Sequence, residues 1–180
     1  MPAGIAAGAG AVSRRNCSIA AITAAASSGE ALAIELGWST GGREEALGCD
    51  VVCCVTPGYV PVVAAGDLRP GVHLNMLGAD GPGKAEASLE AVASCALFCD
   101  EWAQASHGGE LTGAVGAGAI TRDDVTDLGA VLAGSAAGRP DAGAVTLFDS
   151  TGLAIQDLAI AIACLEAVRD GRIDAPSAAL

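Results

Sequence analysis

The stretch Gly78-Ala79-Asp80-Gly81-Pro82-Gly83-Lys84 contains the only lysine of a 180-residue chain and sets its ammonium four residues from a carboxylate. Glycines let backbone amides approach a ligand closely, and Pro82 stiffens the loop. A carboxylate held in such a loop can serve as a general acid or base. The neighbouring ammonium can bind a phosphate or lower the carboxylate's pKa. The same residues also suit a tight turn in which Asp80 caps a following helix and Lys84 is solvated, and this loop alone leaves both readings open.

Two further stretches have a similar character. Val55-Thr56-Pro57-Gly58 and Phe148-Asp149-Ser150-Thr151-Gly152 each end an apolar run of strand length. In open parallel α/β sheets, ligands sit beyond the carboxyl ends of the strands. If the runs before these three loops lie parallel, Thr56, Asp80 with Lys84, and Ser150 with Thr151 gather along one edge. Near the start, Gly8-Ala9-Gly10-Ala11-Val12-Ser13 fits a weak form of the Gly-x-Gly-x-x-small turn that cradles a phosphate, which makes Gly8 and Gly10 candidate dinucleotide contacts. Only seven residues precede it, so little strand is available to present the turn.

The elements that must position these loops follow from the pattern after residue 30. Apolar runs of strand length alternate with segments of helical period, the signature of βα units on a parallel sheet. Strands are expected over 50–55, 72–77, 95–99 and 145–148. Helical segments are expected over 86–94, 101–107, 123–133 and 154–169, the third opened by Thr121 and closed by Gly134. The fold class is α/β, a Rossmann-like parallel sheet with flanking helices.

Composition narrows the partners. Twenty-one acidic against nine basic side chains give a net charge of −12, which repels nucleic acid and anionic lipid. Aromatics are only 3% of a chain that is 52% hydrophobic, so the apolar content suits a close-packed α/β core better than an aromatic-lined groove. No charge-free apolar run reaches about 18 residues, so no membrane span is expected. The acidic, lysine-poor surface matches a halophilic protein, and a GC-rich genome gives the same arginine bias. Seven cysteines, an odd number with no Cys-x-x-Cys pair, lie in apolar settings and read as small buried hydrophobes of a reduced, cytoplasmic protein. His73 and His107 lie far apart without ligand-spaced partners, so no metal site is expected.

Four segments then agree in order and spacing: Cys-Asp-Val-Val-Cys-Cys-Val-Thr-Pro at 49–57, Gly-Val-His-Leu-Asn-Met-Leu-Gly-Ala-Asp-Gly-Pro-Gly-Lys-Ala-Glu at 71–86, Cys-Asp-Glu-Trp-Ala-Gln-Ala-Ser-His-Gly-Gly-Glu-Leu at 99–111, and Thr-Leu-Phe-Asp-Ser-Thr-Gly-Leu-Ala-Ile-Gln-Asp-Leu-Ala at 146–159. Together they resemble the ornithine cyclodeaminase/mu-crystallin family over about residues 31–172, most closely its archaeal alanine dehydrogenase branch. The resemblance implies a Rossmann-type domain that binds NAD, with NADP the other possibility, and a second domain that binds a small amino acid and dimerises. It implies Asp80 as catalytic acid/base. It places Thr56, Leu74, Asn75, Met76, Leu77, Lys84 and Ser150 at the dinucleotide, and Thr151 and Gly152 at the substrate. The implied reaction is hydride transfer from L-alanine to nicotinamide, giving pyruvate and ammonia. The implied alternatives are a cyclodeaminase, in which a side-chain amine attacks the imine, and a mu-crystallin-like binder without catalysis.

The start of the chain departs from that pattern. The first 29 residues contain no Asp or Glu, with Arg14 and Arg15 their only charged residues. The lysine and arginine with which the family grips the substrate carboxylate have no counterpart. The expected division is a shortened or damaged start of the nucleotide-binding domain at 1–30, an NAD(P)-binding domain at 31–150, and a C-terminal helix and tail at 151–180. The apolar face of that helix (Leu153, Ile155, Leu158, Ile162, Leu165) would pack on the absent substrate and dimerisation domain.

Overall fold

The computed structural model describes residues 8–14, 17–23 and 39–175. These form one sheet from β1 (Gly8–Arg14), β2 (Cys17–Thr23), β3 (Ser39–Gly41), β4 (Val51–Val55), β5 (His73–Met76), β6 (Ala96–Cys99), β7 (Val125–Asp127) and β8 (Thr146–Asp149). The spatial order is β3-β1-β2-β4-β5-β8-β6-β7. From β2 to β7 every neighbouring pair is parallel, whereas β1 runs antiparallel to both β2 and β3. The helices are α1 (Arg43–Leu47), α2 (Leu89–Ala93), α3 (Trp102–Ala105), α4 (Thr112–Gly116), α5 (Leu128–Leu132) and α6 (Ala154–Arg169). The parallel run with its flanking helices is the Rossmann-like arrangement expected from the alternating pattern.

Strand side chains alternate between two unequal faces. Val52, Cys54, Leu74, Met76, Leu97, Cys99 and Leu147 point to the fully buried face, against Ala91 and Val92 of α2, Ala105 of α3, and Leu111 and Ala114 at α4. Each large side chain buried there contributes roughly 1.5–3 kcal/mol. On the opposite face Cys53, His73, Asn75 and Phe148 are only half-buried. Two caps fix the helices that follow the carboxyl-edge loops: Ser88 Oγ accepts from Ala91 N–H at 3.2 Å, and Glu101 Oε2 from Gln104 N–H at 2.9 Å.

Four sequence expectations change. The helix expected over 123–133 is a single 3₁₀ turn, then β7, then α5. Its Val125 and Thr126 are β-branched and pair with Leu97 and Phe98 at the sheet edge, which outweighs the local helical pattern. Gly8 and Gly10 lie inside an extended strand, β1, and not in a strand-to-helix turn. Through Thr23 of β2, Gly8 is level with Val55. The cysteines are not uniformly buried: Cys49, Cys54 and Cys99 are, Cys53 and Cys95 are half-buried, and Cys164 is exposed on α6. Ahead of α5, a short helix that the Gly-rich sequence does not announce, α4, packs Ala114 into the core.

Helix α6 spans the expected residues, and Ile155, Leu158, Ile162 and Leu165 are exposed along it as the sequence pattern predicts, whereas Leu153, just ahead of the helix, is half-buried. No described helix is long and apolar enough to cross a membrane.

Candidate functional site

The strand register brings Cys54, Met76, Asp149 and Cys99 to one level across β4, β5, β8 and β6. The residues that follow them, Val55-Thr56, Leu77-Gly78, Ser150 and Asp100, therefore form a row along the carboxyl edge. Beside this row an open cleft of about 330 Å³ is lined by Asp80, Ala103, Gln104, His107, Gly108 and Thr151.

Asp80 is exposed on the loop after β5, and its Oδ1 accepts from Lys84 Nζ. The hydrogen bond and charge of Lys84 hold the Asp80 carboxyl below its ordinary pKa, and Asp80 in turn raises that of Lys84. The open question left by the sequence is settled in one respect: Asp80 caps no helix, and its described partner is the lysine four residues on. Lys84 thus directs its ammonium at Asp80.

Four carboxylates hold the edge together. Glu86 is fully buried and takes four donors: Thr56 N–H (2.5 Å) and Thr56 Oγ1–H (2.8 Å) on Oε1, and Leu77 N–H (3.0 Å) and Gly78 N–H (2.8 Å) on Oε2. Glu110 accepts from the backbone N–H of Glu86 and of Ala87. Asp149, at the end of β8, accepts from Leu111 N–H at 3.1 Å, and its Oδ1 is buried without a hydrogen-bond partner among the described residues. Burial pushes both Glu110 and Asp149 up to about 7, against the pull of their backbone donors and with the help of neighbouring carboxylates. Asp100, after β6, accepts from Thr151 N–H and Thr151 Oγ1–H, both at 2.9 Å, and from Gly152 N–H at 3.1 Å. That ties the loop after β8 to the loop after β6.

Two glycines are required by this packing. A Cβ on Gly78 would sit 2.1 Å from the Thr56 carbonyl oxygen, and one on Gly109 2.5 Å from Asp149 Oδ2. Gly152 has a φ of +73°, a left-handed conformation that suits glycine.

Of the candidate residues, Thr56, Leu77, Asp80, Lys84, Ser150, Thr151 and Gly152 come to the one edge. Leu74 and Met76 are buried on the helix-covered face, and Asn75 points to the other face, where its amide donates to Cys53 Sγ at 3.4 Å. Gly8 and Gly10 lie in β1, separated from β4 by β2. Sequence reasoning assigned no role to Glu86, Asp100, Gln104, His107, Glu110 or Asp149. The one local signal for them was the position of Asp100 and Asp149 at strand ends. A second cavity, of about 390 Å³, lies on the half-covered sheet face. Its polar groups serve one another: His73 meets Thr146 Oγ1 and Asn75 Oδ1, and Arg139 also donates to Thr146.

A parallel sheet with flanking helices, an exposed carboxylate and a cleft at its carboxyl edge is the arrangement of a Rossmann-like α/β protein, whose ligands sit at that edge. The sequence pattern of the ornithine cyclodeaminase/mu-crystallin family matches residues 8–172, and the chain belongs to that family. It is 47% identical over 119 residues to an alanine dehydrogenase of Archaeoglobus fulgidus, a match covering 66% of this chain and 37% of that protein. The solved dimer of an archaeal alanine dehydrogenase with bound NAD superposes with a TM-score of 0.73 at 38% identity, over 84% of this chain and 48% of that one. The iminosuccinate reductase of Paracoccus denitrificans, solved with NAD⁺, gives 0.71 at 38% identity, over 77% and 44%. The chain thus spans about half the length of these solved relatives.

Proposed function

We propose that this chain is the dinucleotide-facing part of an NAD-dependent oxidoreductase of the alanine dehydrogenase type, acting on a small L-amino acid. The observation that carries the reading is the pairing of Asp80 with Lys84 at the rim of the carboxyl-edge cleft. NAD is the cofactor of this reading and NADP the alternative. The residues at the edge fit the nicotinamide end: Thr56, Leu77, Lys84 and Ser150 lie along it, and Gln104, His107 and Thr151 line the cleft where a small amino acid would meet Asp80. The pyrophosphate end has no matching turn at Gly8 and Gly10, which lie in a strand, so no role is assigned to them.

When bound, the dinucleotide supplies the acceptor for the hydride on the substrate's α-carbon. The proton work falls to the chain. Held as a carboxylate by Lys84, Asp80 accepts a proton from the substrate's ammonium group and frees the nitrogen lone pair that drives the hydride out. Once that proton has passed to solvent, Asp80 takes a proton from the water that adds to the imine and returns it to the nitrogen of the carbinolamine; ammonia then leaves, the hydroxyl proton goes to solvent, and the 2-oxo acid remains. Thr151 and Gly152, pinned by Asp100, form the wall on the substrate side. The exposed apolar face of α6 suits contact with a substrate and dimerisation domain of the kind this reading calls for.

The test is fluorescence titration of the purified protein with NADH and NADPH in high salt, followed by oxidation assays with L-alanine, ornithine and proline. Binding of NADH with alanine-dependent NAD⁺ reduction is the expected result. Net conversion of ornithine to proline would assign the cyclodeaminase reaction, and failure to bind either nucleotide would refute the reading.

A further inference from the structure

We infer that Glu86 is a positioning residue, a single carboxylate that locks the loops after β4 and β5 to each other and so sets where Asp80 stands relative to the nucleotide edge. The inference rests on the proposed nucleotide site for its consequence, and on hydrogen-bond geometry for its mechanism.

Glu86 lies near the far end of the β5 loop, eight and nine residues from Gly78 and Leu77, and reaches across to Thr56 in the β4 loop, 30 residues away. Each of its oxygens spans a pair of donors, Oε1 the main-chain and side-chain groups of Thr56, Oε2 the consecutive amides of Leu77 and Gly78. Four donors match the lone-pair positions of a carboxylate, which accepts only. A glutamine of the same shape cannot replace it, because its NH₂ would face two donors in a buried site. The side chain is itself held from behind. Its own N–H and that of Ala87 donate to Glu110, and its carbonyl accepts from Val62 N–H at 2.7 Å and Val63 N–H at 2.9 Å. Glu86 is therefore fixed at main chain and side chain alike.

The clamp also accounts for Gly78. The Thr56 and Gly78 backbones approach so closely that a Cβ on Gly78 would lie 2.6 Å from Glu86 Oε1 and from Thr56 N. Two loops with few side chains to pack thus meet over one carboxylate, and Asp80 begins two residues beyond it. A shift of about 1 Å in such a group is enough to impair a reacting geometry.

The test compares Glu86→Gln with the parent and with Asp124→Asn, a cap variant at the amino end of β7, where Asp124 serves only Thr121. Amide hydrogen exchange is read at Thr56, Leu77 and Gly78, and NADH affinity by fluorescence. In Glu86→Gln, exchange at those three amides should quicken ten-fold or more while Val52 and Leu74 in the strand interiors stay protected, and NADH should bind at least ten-fold more weakly. Asp124→Asn should leave both readouts unchanged. If Glu86→Gln does not fold, Thr56→Val removes the hydroxyl donor alone and should show the smaller version of the same local loosening. Uniform loss of protection across the sheet, or tight NADH binding despite loosened amides, would overturn the inference. A parent that binds no NADH but whose three amides loosen in Glu86→Gln would refute the nucleotide reading and leave the clamp standing.

Discussion

Asp149 offers a quantitative test of how this edge is built. It is fully buried, one oxygen accepts from Leu111 N–H, and the other has no hydrogen-bond partner among the described residues. Burial pushes its pKa from 3.8 to about 7, with the charges of Asp100 and Glu86 adding to the rise. A carboxyl whose folded pKa lies above its unfolded value binds its proton more tightly when native. Stability therefore falls as pH rises from about 4 to about 7 and levels off above, with a slope near 1.4 kcal/mol per unit and a total near 4 kcal/mol. Asp149→Asn removes that ionisation, keeps an acceptor for Leu111 and places an NH₂ at the unpartnered position. An unsatisfied buried donor costs about 1–3 kcal/mol. The variant should thus be about 1–3 kcal/mol more stable than the parent at pH 8, and no more stable, or less, at pH 4. Urea unfolding from pH 4 to 8.5 at constant ionic strength measures this. His73, depressed by burial, acts in the opposite sense between its folded pKa and 6.5, but it is common to both proteins and cancels in the difference. Asp80 and Asp124, both depressed, lose their contributions only below about pH 4. A parent and variant with parallel pH profiles would refute the assignment of a buried, proton-holding Asp149.

Other tests follow from the same geometry. Gly78→Ala forces a Cβ to 2.1 Å from the Thr56 carbonyl oxygen and should cost about 3 kcal/mol or more in denaturant unfolding, whereas a Cβ at Gly81 in the same loop meets nothing within 4 Å and should change stability by less than about 0.5 kcal/mol. Lys84→Ala should raise the titration midpoint of the Asp80 carboxyl, read by carbon-13 NMR, because it removes the hydrogen bond and charge that lower it. Asp80→Asn should abolish amino-acid oxidation and leave NADH binding intact, separable by paired rate and fluorescence measurements. Leu158→Gln with Leu165→Gln, at 58% and 50% exposed positions of α6, should leave the unfolding midpoint of this chain unchanged within about 0.5 kcal/mol.

The parallel sheet was legible because its central strands are short apolar runs bounded by Gly, Pro or Asp. Asp50 to Val55 and Val145 to Phe148 fall within a residue or two of β4 and β8. Strand β7 was not, because its three residues follow Arg122-Asp123-Asp124 and run into Leu128-Gly129-Ala130, a window with helical spacing. Only pairing with β6 makes it a strand. Helix α4 was hidden for a related reason: Thr112-Gly113-Ala114-Val115-Gly116 is a poor intrinsic helix former, and the buried Leu111 and Ala114 hold it in place. The Asp80 loop was visible because a lone lysine and a glycine cluster are local signals. Glu86, Asp100 and Glu110 act on groups 23 to 52 residues distant, apart from the Glu86 contacts within its own loop and that of Asp100 with Glu101 N–H, so no local pattern could announce their long-range partners.

The distribution of acids then acquires a physical reason. A chain with 21 acidic residues and a charge of −12 can keep nearly all of them in water, yet Glu86, Glu110 and Asp149 are buried, and burial makes Glu110 and Asp149 harder to ionise. All three accept backbone N–H groups at the carboxyl edge, and the loops there are built from Gly78, Gly81, Gly83, Gly108 and Gly109. Glycine lets main chain come close to main chain, but it leaves no side chain with which to pack one loop on the next. Carboxylates, each able to gather up to four donors, supply that cohesion from a distance in sequence. The edge is thereby held by hydrogen bonds more than by apolar contact, so its order should depend on the protonation of Glu110 and Asp149 near neutral pH while the apolar face beneath it does not.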